Sequence, residues 1–230
     1  MAAPLPYPRP EEHLQEILDS RTAQGLQRTL RPRKDMVDLA SNDYLGLSRS
    51  TALHHDFATA VQQRNDQPFG AGGSRLLTGN SAAAERLEAE LAAFHGFAHG
   101  LLFNSGYQAN LGVFSSIASR HDTLILDEKA HASMIDGARL SRARLLRFRH
   151  NDPSSLHEKL QHAQGRVVVG IESVYSMGGT CAPLRELLAV CRDHGAGLVV
   201  DEAHAVGVFG PQGAGRLAAM GLQHEVLAAV

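Results

Sequence analysis

Apolar residues recur along this chain with two different periods. Short continuous runs lie at Thr123–Leu126, Arg144–Phe148, Val167–Ile171 and Leu198–Asp201. Runs of this length, bounded by polar or turn residues, read as strands buried on both faces of a parallel sheet. Gly100–Phe103 reads the same way, and Val226–Val230 as the start of one more strand. Between the runs the period becomes helical. Leu87, Leu91 and Phe94 share one face of a helix that Ser81 can cap and that runs to His95. Further helices are expected over Gly106–Ala118, Ser133–Ser141 and Leu184–His194. Another starts at Asp152-Pro153, a capping residue followed by a first-turn proline. Strands alternating with helices predict an α/β fold of three layers, a mostly parallel sheet covered on both faces.

The first 64 residues stand outside this alternation. Pro4, Pro6, Pro8 and Pro10 make an extended arm, and Glu11–Leu30 reads as an amphipathic helix with Leu14, Ile17, Leu18 and Leu26 on one side. Met36–Leu39 is a short strand candidate, Ser41–Ser48 a loop, and Thr51–Arg64 a helix. The expected organisation is an arm and helical segment over 1–64, part of a small lobe, and a large domain over 65–230 that opens on the glycine-rich loop Gly70–Asn80.

Composition narrows the class. A chain of 230 residues, 43% hydrophobic, can bury one large domain or somewhat more. A formal net charge of -2 gives no overall surface for nucleic acid. The arginines at 139, 142, 144, 147 and 149 read as a solvated helix end and strand edge. Cys181 and Cys191 are too few for a disulfide scaffold and lack metal-ligand spacing, which fits a reducing cytoplasm. No apolar run approaches the ~18 residues of a membrane span. Residues 1–10 hold no apolar core of a signal peptide.

The segment Leu198-Val199-Val200-Asp201-Glu202-Ala203-His204 carries the most chemistry. In open α/β sheets, functional groups collect just beyond the carboxyl ends of the strands. Asp201 at such an end could hold a protonated pyridinium, a metal ion or a nucleotide-bound magnesium, with His204 on the adjoining loop. Asp127-Glu128-Lys129-Ala130-His131 repeats the arrangement. Glu172-Ser173-Val174-Tyr175-Ser176 is a third strand end, carrying a hydroxyl. Asn104-Ser105-Gly106-Tyr107 opens a helix whose backbone amides suit a phosphate. Asp201-Glu202-Ala203-His204 spells a helicase-like Walker B segment, but none of the three lysines, Lys34, Lys129 and Lys159, follows a P-loop. Gly70-Ala71-Gly72 lacks the third glycine of a dinucleotide fingerprint. The thirteen histidines include no HExxH and no close pair on one helix face.

Taken in order, SNDYLGLS, GAGGSRLLTGN, FNSGYQAN, DEKAHASMIDG, FRHND, ESVYSMGGTCAPL and VVDEAHAVGVFGPQGAGR resemble the α-oxoamine synthases, fold-type I pyridoxal phosphate enzymes. The resemblance runs from about Arg21 to Val230. It implies pyridoxal 5'-phosphate as cofactor and assigns roles. Gly106 and Tyr107 match the backbone pair at the cofactor phosphate, His131 the imidazole stacked on its ring, and Asp201 the acid on the pyridinium nitrogen. His204 matches the donor to the ring 3-oxygen, and Ser176 a cofactor-contacting hydroxyl. His131, Asp201 and His204 are thus the catalytic candidates. Asn42 lies in a substrate-facing loop, and Arg28, with Arg21 as rival, matches an arginine for the acyl carboxylate.

The implied reaction is a decarboxylative condensation of an amino acid with an acyl thioester, borne by CoA or a carrier protein. The biotin-pathway branch, which joins L-alanine to a pimeloyl thioester, is favoured by overall similarity; sister enzymes use glycine or serine. A homodimer is implied as well. The family's Schiff-base lysine belongs in a T-x-G-K-like turn just after the strand that begins at Val226, and no such turn occurs within these 230 residues. The expectation is therefore an N-terminal fragment or truncated product, inactive alone. A remnant that only binds ligand or partner is the alternative.

Overall fold

The computed structural model describes residues 9–30, 37–63 and 70–230. It divides into two compact units, Met1–Ser41 and Asn42–Val230. The expected boundary at 64/65 lies outside the described residues.

The first unit holds α1 (Pro10–Ala23), shorter than its apolar pattern suggested. Pro10 sits at the first position, where its fixed φ suits the helix. Glu12 accepts from both the amide and the guanidinium of Arg9. Gly25, at φ 67°, takes the left-handed turn that stops the helix before Leu26. Val37–Leu39 forms no strand, and Met36 lies outside the described residues.

The second unit begins with α2 (Thr51–Gln62), whose Leu53 amide is taken by the Ser50 hydroxyl, and α3 (Ala82–His95), capped by Ser81 as expected. The alternation follows: α4 (Gly106–Ser116), β1 (Thr123–Asp127), α5 (Ala132–Ser141), β2 (Arg144–Phe148), α6 (Pro153–Gln161), β3 (Val167–Glu172), α7 (Leu184–Asp193) and β4 (Gly197–Asp201). The short α8 (Arg216–Met220) and β5 (Ala228–Ala229) complete it. These five strands pair in parallel, in the order β2-β1-β3-β4-β5.

Side chains alternate across the strands and bury two cores. Ile125, Val169, Ile171, Leu198 and Val200 meet Leu156 and Leu160 of α6 and Leu184, Leu187 and Cys191 of α7 on one face. Leu124, Leu126, Val168 and Val199 meet Phe114 of α4 and Met134 and Ala138 of α5 on the other. The chain leaves β1 toward β2 through α5 and returns to the opposite side of β1 through α6. The order reverses between β1 and β3, which opens a crevice at their carboxyl ends.

One expected strand is absent. Gly100–Phe103 has no ladder partner among the described residues, and Leu101 and Phe103 are 68% and 41% exposed. A strand exists only through a neighbour that takes its amides and carbonyls. Here the Leu102 amide donates instead to the Glu88 carboxylate of α3 at 2.8 Å. A groove of about 650 Å³ lies among Leu101–Phe103, α4 and β5. No helix among the described residues is long and apolar enough to cross a membrane.

Candidate functional site

The crevice collects the loops that follow β1, β3 and β4, together with the first turn of α4. Ser105 caps α4 by accepting from the Gln108 amide. The Gly106 and Tyr107 amides find no acceptor among the described residues, and a Cβ at Gly106 would meet nothing within 4 Å. Open space in front of two first-turn amides is the cradle an anionic group requires.

Asp201 ends β4 with 6% exposure. Its Oδ1 accepts from the Ala203 amide at 2.9 Å, and its Oδ2 from Asn110 Nδ2 at 2.7 Å. Asn110 projects from α4 and gives a second bond, at 3.1 Å, to the Ser133 hydroxyl of α5. That hydroxyl lies 2.7 Å from His131 Nδ1. One buried amide thus ties the acid at the end of β4 to the imidazole after β1. The link depends on how closely α4 and α5 approach: a Cβ on Gly137 would lie 2.9 Å from Phe114 Cβ and 3.0 Å from the Asn110 carbonyl.

His131 caps α5, its Nδ1 accepting from the Ser133 amide, and its ring stands edge-on to Tyr107 with centroids 6.0 Å apart. The Tyr107 hydroxyl is anchored by Asp136 at 2.5 Å, and that carboxylate raises the phenol's pKa. His204, half-buried on the turn after β4, has its Nδ1 2.5 Å from the Tyr44 hydroxyl.

Glu172 ends β3 directly beside Asp201 in the register, on the same face of the sheet. It is 2% exposed; Oε2 accepts from the Ser176 amide at 3.3 Å, and Oε1 has no partner among the described residues. Burial pushes its carboxyl up to about 7; the Ser176 and His131 amides oppose that rise, and the charge of Asp201 adds to it. Asp127, at the end of β1, points to the other face. There it accepts from the Lys129 and Asn151 amides and pairs with His150 at 3.0 Å. His150 continues to the Thr180 hydroxyl at 2.8 Å and so fastens the loop that carries Ser176. Glu202 is structural: it receives the Arg216 and Leu217 amides at the start of α8.

Gly106, Tyr107, His131, Ser176, Asp201 and His204 all lie on the first turn of α4 or on the loops at the carboxyl ends of β1, β3 and β4. Asn42 is exposed on a bend two residues before Tyr44. Arg28 is exposed in the other unit, after α1. Sequence reasoning passed over Asn110, Ser133, Tyr44 and Glu172, although each stands inside a motif quoted for its neighbours. Asn110 offered a signal, a polar residue on a helix face whose next turn is Phe114. No cluster suited to a metal ion occurs among the described residues. An acid, two imidazoles and an amide cradle, with Asn110 Oδ1 and Glu172 Oε1 unpartnered among the described residues, suit an aromatic cation carrying a phosphate.

Known proteins resemble this chain in sequence and in fold. Residues 34–229 match the family model for aminotransferase class I and II. An 8-amino-7-oxononanoate synthase of Emericella nidulans is 48% identical over 84% of this chain and 51% of its own length. One of Mycobacterium tuberculosis is 46% identical over 91% of this chain and 54% of its own. The chain therefore spans about half the length of the curated relatives it matches. Among solved structures, the serine palmitoyltransferase of Sphingomonas wittichii aligns with TM-score 0.75 at 38% identity, over 82% of this chain and 47% of the other. The 8-amino-7-oxononanoate synthase of Francisella tularensis aligns with TM-score 0.66 at 30% identity, over 81% of this chain and 50% of the other. With the five-stranded parallel sheet, its two helical layers and a family match over most of its length, the chain belongs to the aminotransferase class I and II family.

Proposed function

We propose that this chain carries the cofactor-binding residues of a pyridoxal phosphate-dependent C-acyltransferase, an 8-amino-7-oxononanoate synthase. The reaction joins L-alanine to a pimeloyl thioester, of CoA or a carrier protein, and releases carbon dioxide. The observation that carries the reading is the buried Asp201 at the end of β4, coupled through Asn110 and Ser133 to His131. The cofactor, when bound, supplies an electron sink for the carbon that loses its proton. Asp201 holds a proton on the pyridine nitrogen. Its two bonds, from Asn110 and the Ala203 amide, fix the carboxylate before the ring arrives. His131 covers the ring, the Gly106 and Tyr107 amides take the phosphate, and Ser176 adds a hydroxyl. His204 donates to the ring oxygen, and Asn42 faces the substrate. The assembly is a homodimer.

The test is a titration with pyridoxal phosphate, followed by cofactor absorbance and fluorescence, in the wild type and in Asp201→Asn. Saturable 1:1 binding, weakened at least tenfold in D201N, supports the reading, and an absence of saturable binding sinks it. A sister synthase using serine is the second reading. It draws on the serine palmitoyltransferase of S. paucimobilis, solved with a bound PLP-myriocin aldimine, which aligns with TM-score 0.79 at 31% identity over 94% of this chain and 57% of the other. Spectral titration with L-alanine against L-serine separates the two.

A further inference from the structure

We infer that Tyr44 is a positioning residue for His204: its phenol donates to Nδ1 and thereby fixes the ring proton on Nε2. The inference rests on the proposed cofactor reading for its purpose, though not for its geometry. Tyr44 stands on the Asn42–Gly46 loop, 160 residues from His204 in sequence, and its hydroxyl reaches Nδ1 at 2.5 Å with the ring centroids 6.1 Å apart. Two proton arrangements are open to such a pair. If Nδ1 carried the hydrogen, a neutral imidazole N–H would donate to a phenol oxygen, the weaker donor to the weaker acceptor. A phenol, with a pKa of about 10, is the better donor and a bare ring nitrogen the better acceptor, so the phenol gives and Nδ1 receives. A neutral imidazole has one donor and one acceptor, which leaves Nε2 as the donor.

His131 supplies an independent parallel. Its Nδ1 faces the Ser133 backbone amide at 3.3 Å, a group that can only donate. Nδ1 of His131 is therefore also the acceptor. The Ser133 hydroxyl, which receives from Asn110, gives its own hydrogen to the same nitrogen. Both imidazoles of the site are held in one tautomer, one by a serine of the adjacent helix and the other by a tyrosine from a distant loop. For His204 the consequence is specific. An anionic ring oxygen needs a donor, and a ring free to change tautomer presents one only part of the time. Tyr44 removes that freedom and joins the loop bearing Asn42 to the turn bearing the imidazole.

The experiment uses the 230-residue chain with 15N-labelled histidine, His204 being assigned from the signal lost in His204→Gln. Long-range proton–nitrogen correlation reads the tautomer in wild type and in Tyr44→Phe, which keeps the ring and removes the donor. We expect an unprotonated Nδ1 and a protonated Nε2 in the wild type. In Y44F the two nitrogen shifts move toward each other as the tautomers exchange, while the His131 signals stay in place. Pyridoxal phosphate affinity falls about fivefold in Y44F, the size of one ordinary hydrogen bond. A protonated Nδ1 in the wild type, or a His204 pattern unchanged in Y44F, overturns the inference. If the wild type binds no pyridoxal phosphate, the cofactor reading fails by itself, and the tautomer spectra still decide the role of Tyr44.

Discussion

Replacing Glu172 by glutamine will make the protein more stable at pH 8 and change little at pH 5. Glu172 sits at the end of β3, 2% exposed, beside Asp201 and with one carboxyl oxygen unpartnered among the described residues. Burial raises its carboxyl from the ordinary 4.5 to about 7, with the charge of Asp201 contributing in the same direction. The folded state thus holds the proton more tightly than the unfolded chain between those two values. Stability is full below about 4.5, falls as the pH climbs toward 7, and is flat above. At about 1.36 kcal/mol per pH unit, the loss across that window is ~3 kcal/mol. Solvent screening takes little from it, because the group is almost wholly buried. Glutamine does not titrate, and its Oε1 can still accept from the Ser176 amide. All other ionisable groups occur in both proteins, and their contributions cancel in the difference. The assay is urea unfolding of wild type and E172Q, without cofactor, at half-unit steps from pH 5 to 8. The stability difference should grow with pH in favour of the variant, by roughly 2–3 kcal/mol. Parallel pH curves for the two proteins would refute the reasoning.

Three further outcomes follow from the same geometry. Asn110→Ala strips one partner from the buried Asp201 and one from Ser133, and should cost about 1–3 kcal/mol in chemical denaturation. Gly170→Ala sets a Cβ 2.6 Å from Leu126 Cδ2 and 2.7 Å from Phe114 Cζ, inside the closely packed layer under α4. Overpacking of that kind should lower stability by about 1–3 kcal/mol, read as a drop in Tm. Borohydride reduction of the 230-residue chain with pyridoxal phosphate should leave no stoichiometric, site-specific pyridoxyl-lysine at Lys129 or Lys159, as peptide mapping by mass spectrometry would record; the first follows β1 on a surface turn and the second lies in the last turn of α6.

Local chemistry made much of the sheet legible. β2 spans the residues its apolar run marked out, and α6 starts where Asp152 and Pro153 said it would. β1, β3 and β4 each end in the acid that closed their apolar runs. Those signals survive because a strand buried on both faces tolerates few polar residues before its end. Gly100–Phe103 carries the same local signal, yet a strand is a property of two segments, and none of the described residues forms a ladder with this one. At the site, Asp201, His204 and His131 could be located from the strand ends that precede them. Tyr44 could not, because nothing within its loop points to an imidazole 160 residues away.

The residues that join the site share one trait: each acts between elements. Asn110 contributes nothing to α4 as a helix, since a buried amide costs free energy wherever it lacks partners. It is tolerated because Gly137 lets α4 and α5 approach until Ser133 and Asp201 both come within 3.1 Å of one nitrogen. Glu172 is likewise unfavourable in its own strand, where an apolar residue would continue the core that Val168 joins on that face. Its Oε2 holds the Ser176 amide, and its carboxyl stands next to Asp201 in the ladder. Such residues weaken the element they belong to and gain their partners only in the assembled fold. Helical and strand periodicity registers them as lapses in an apolar pattern. In this chain those lapses fall where the strand order reverses, which is also where an open α/β sheet offers space for a ligand.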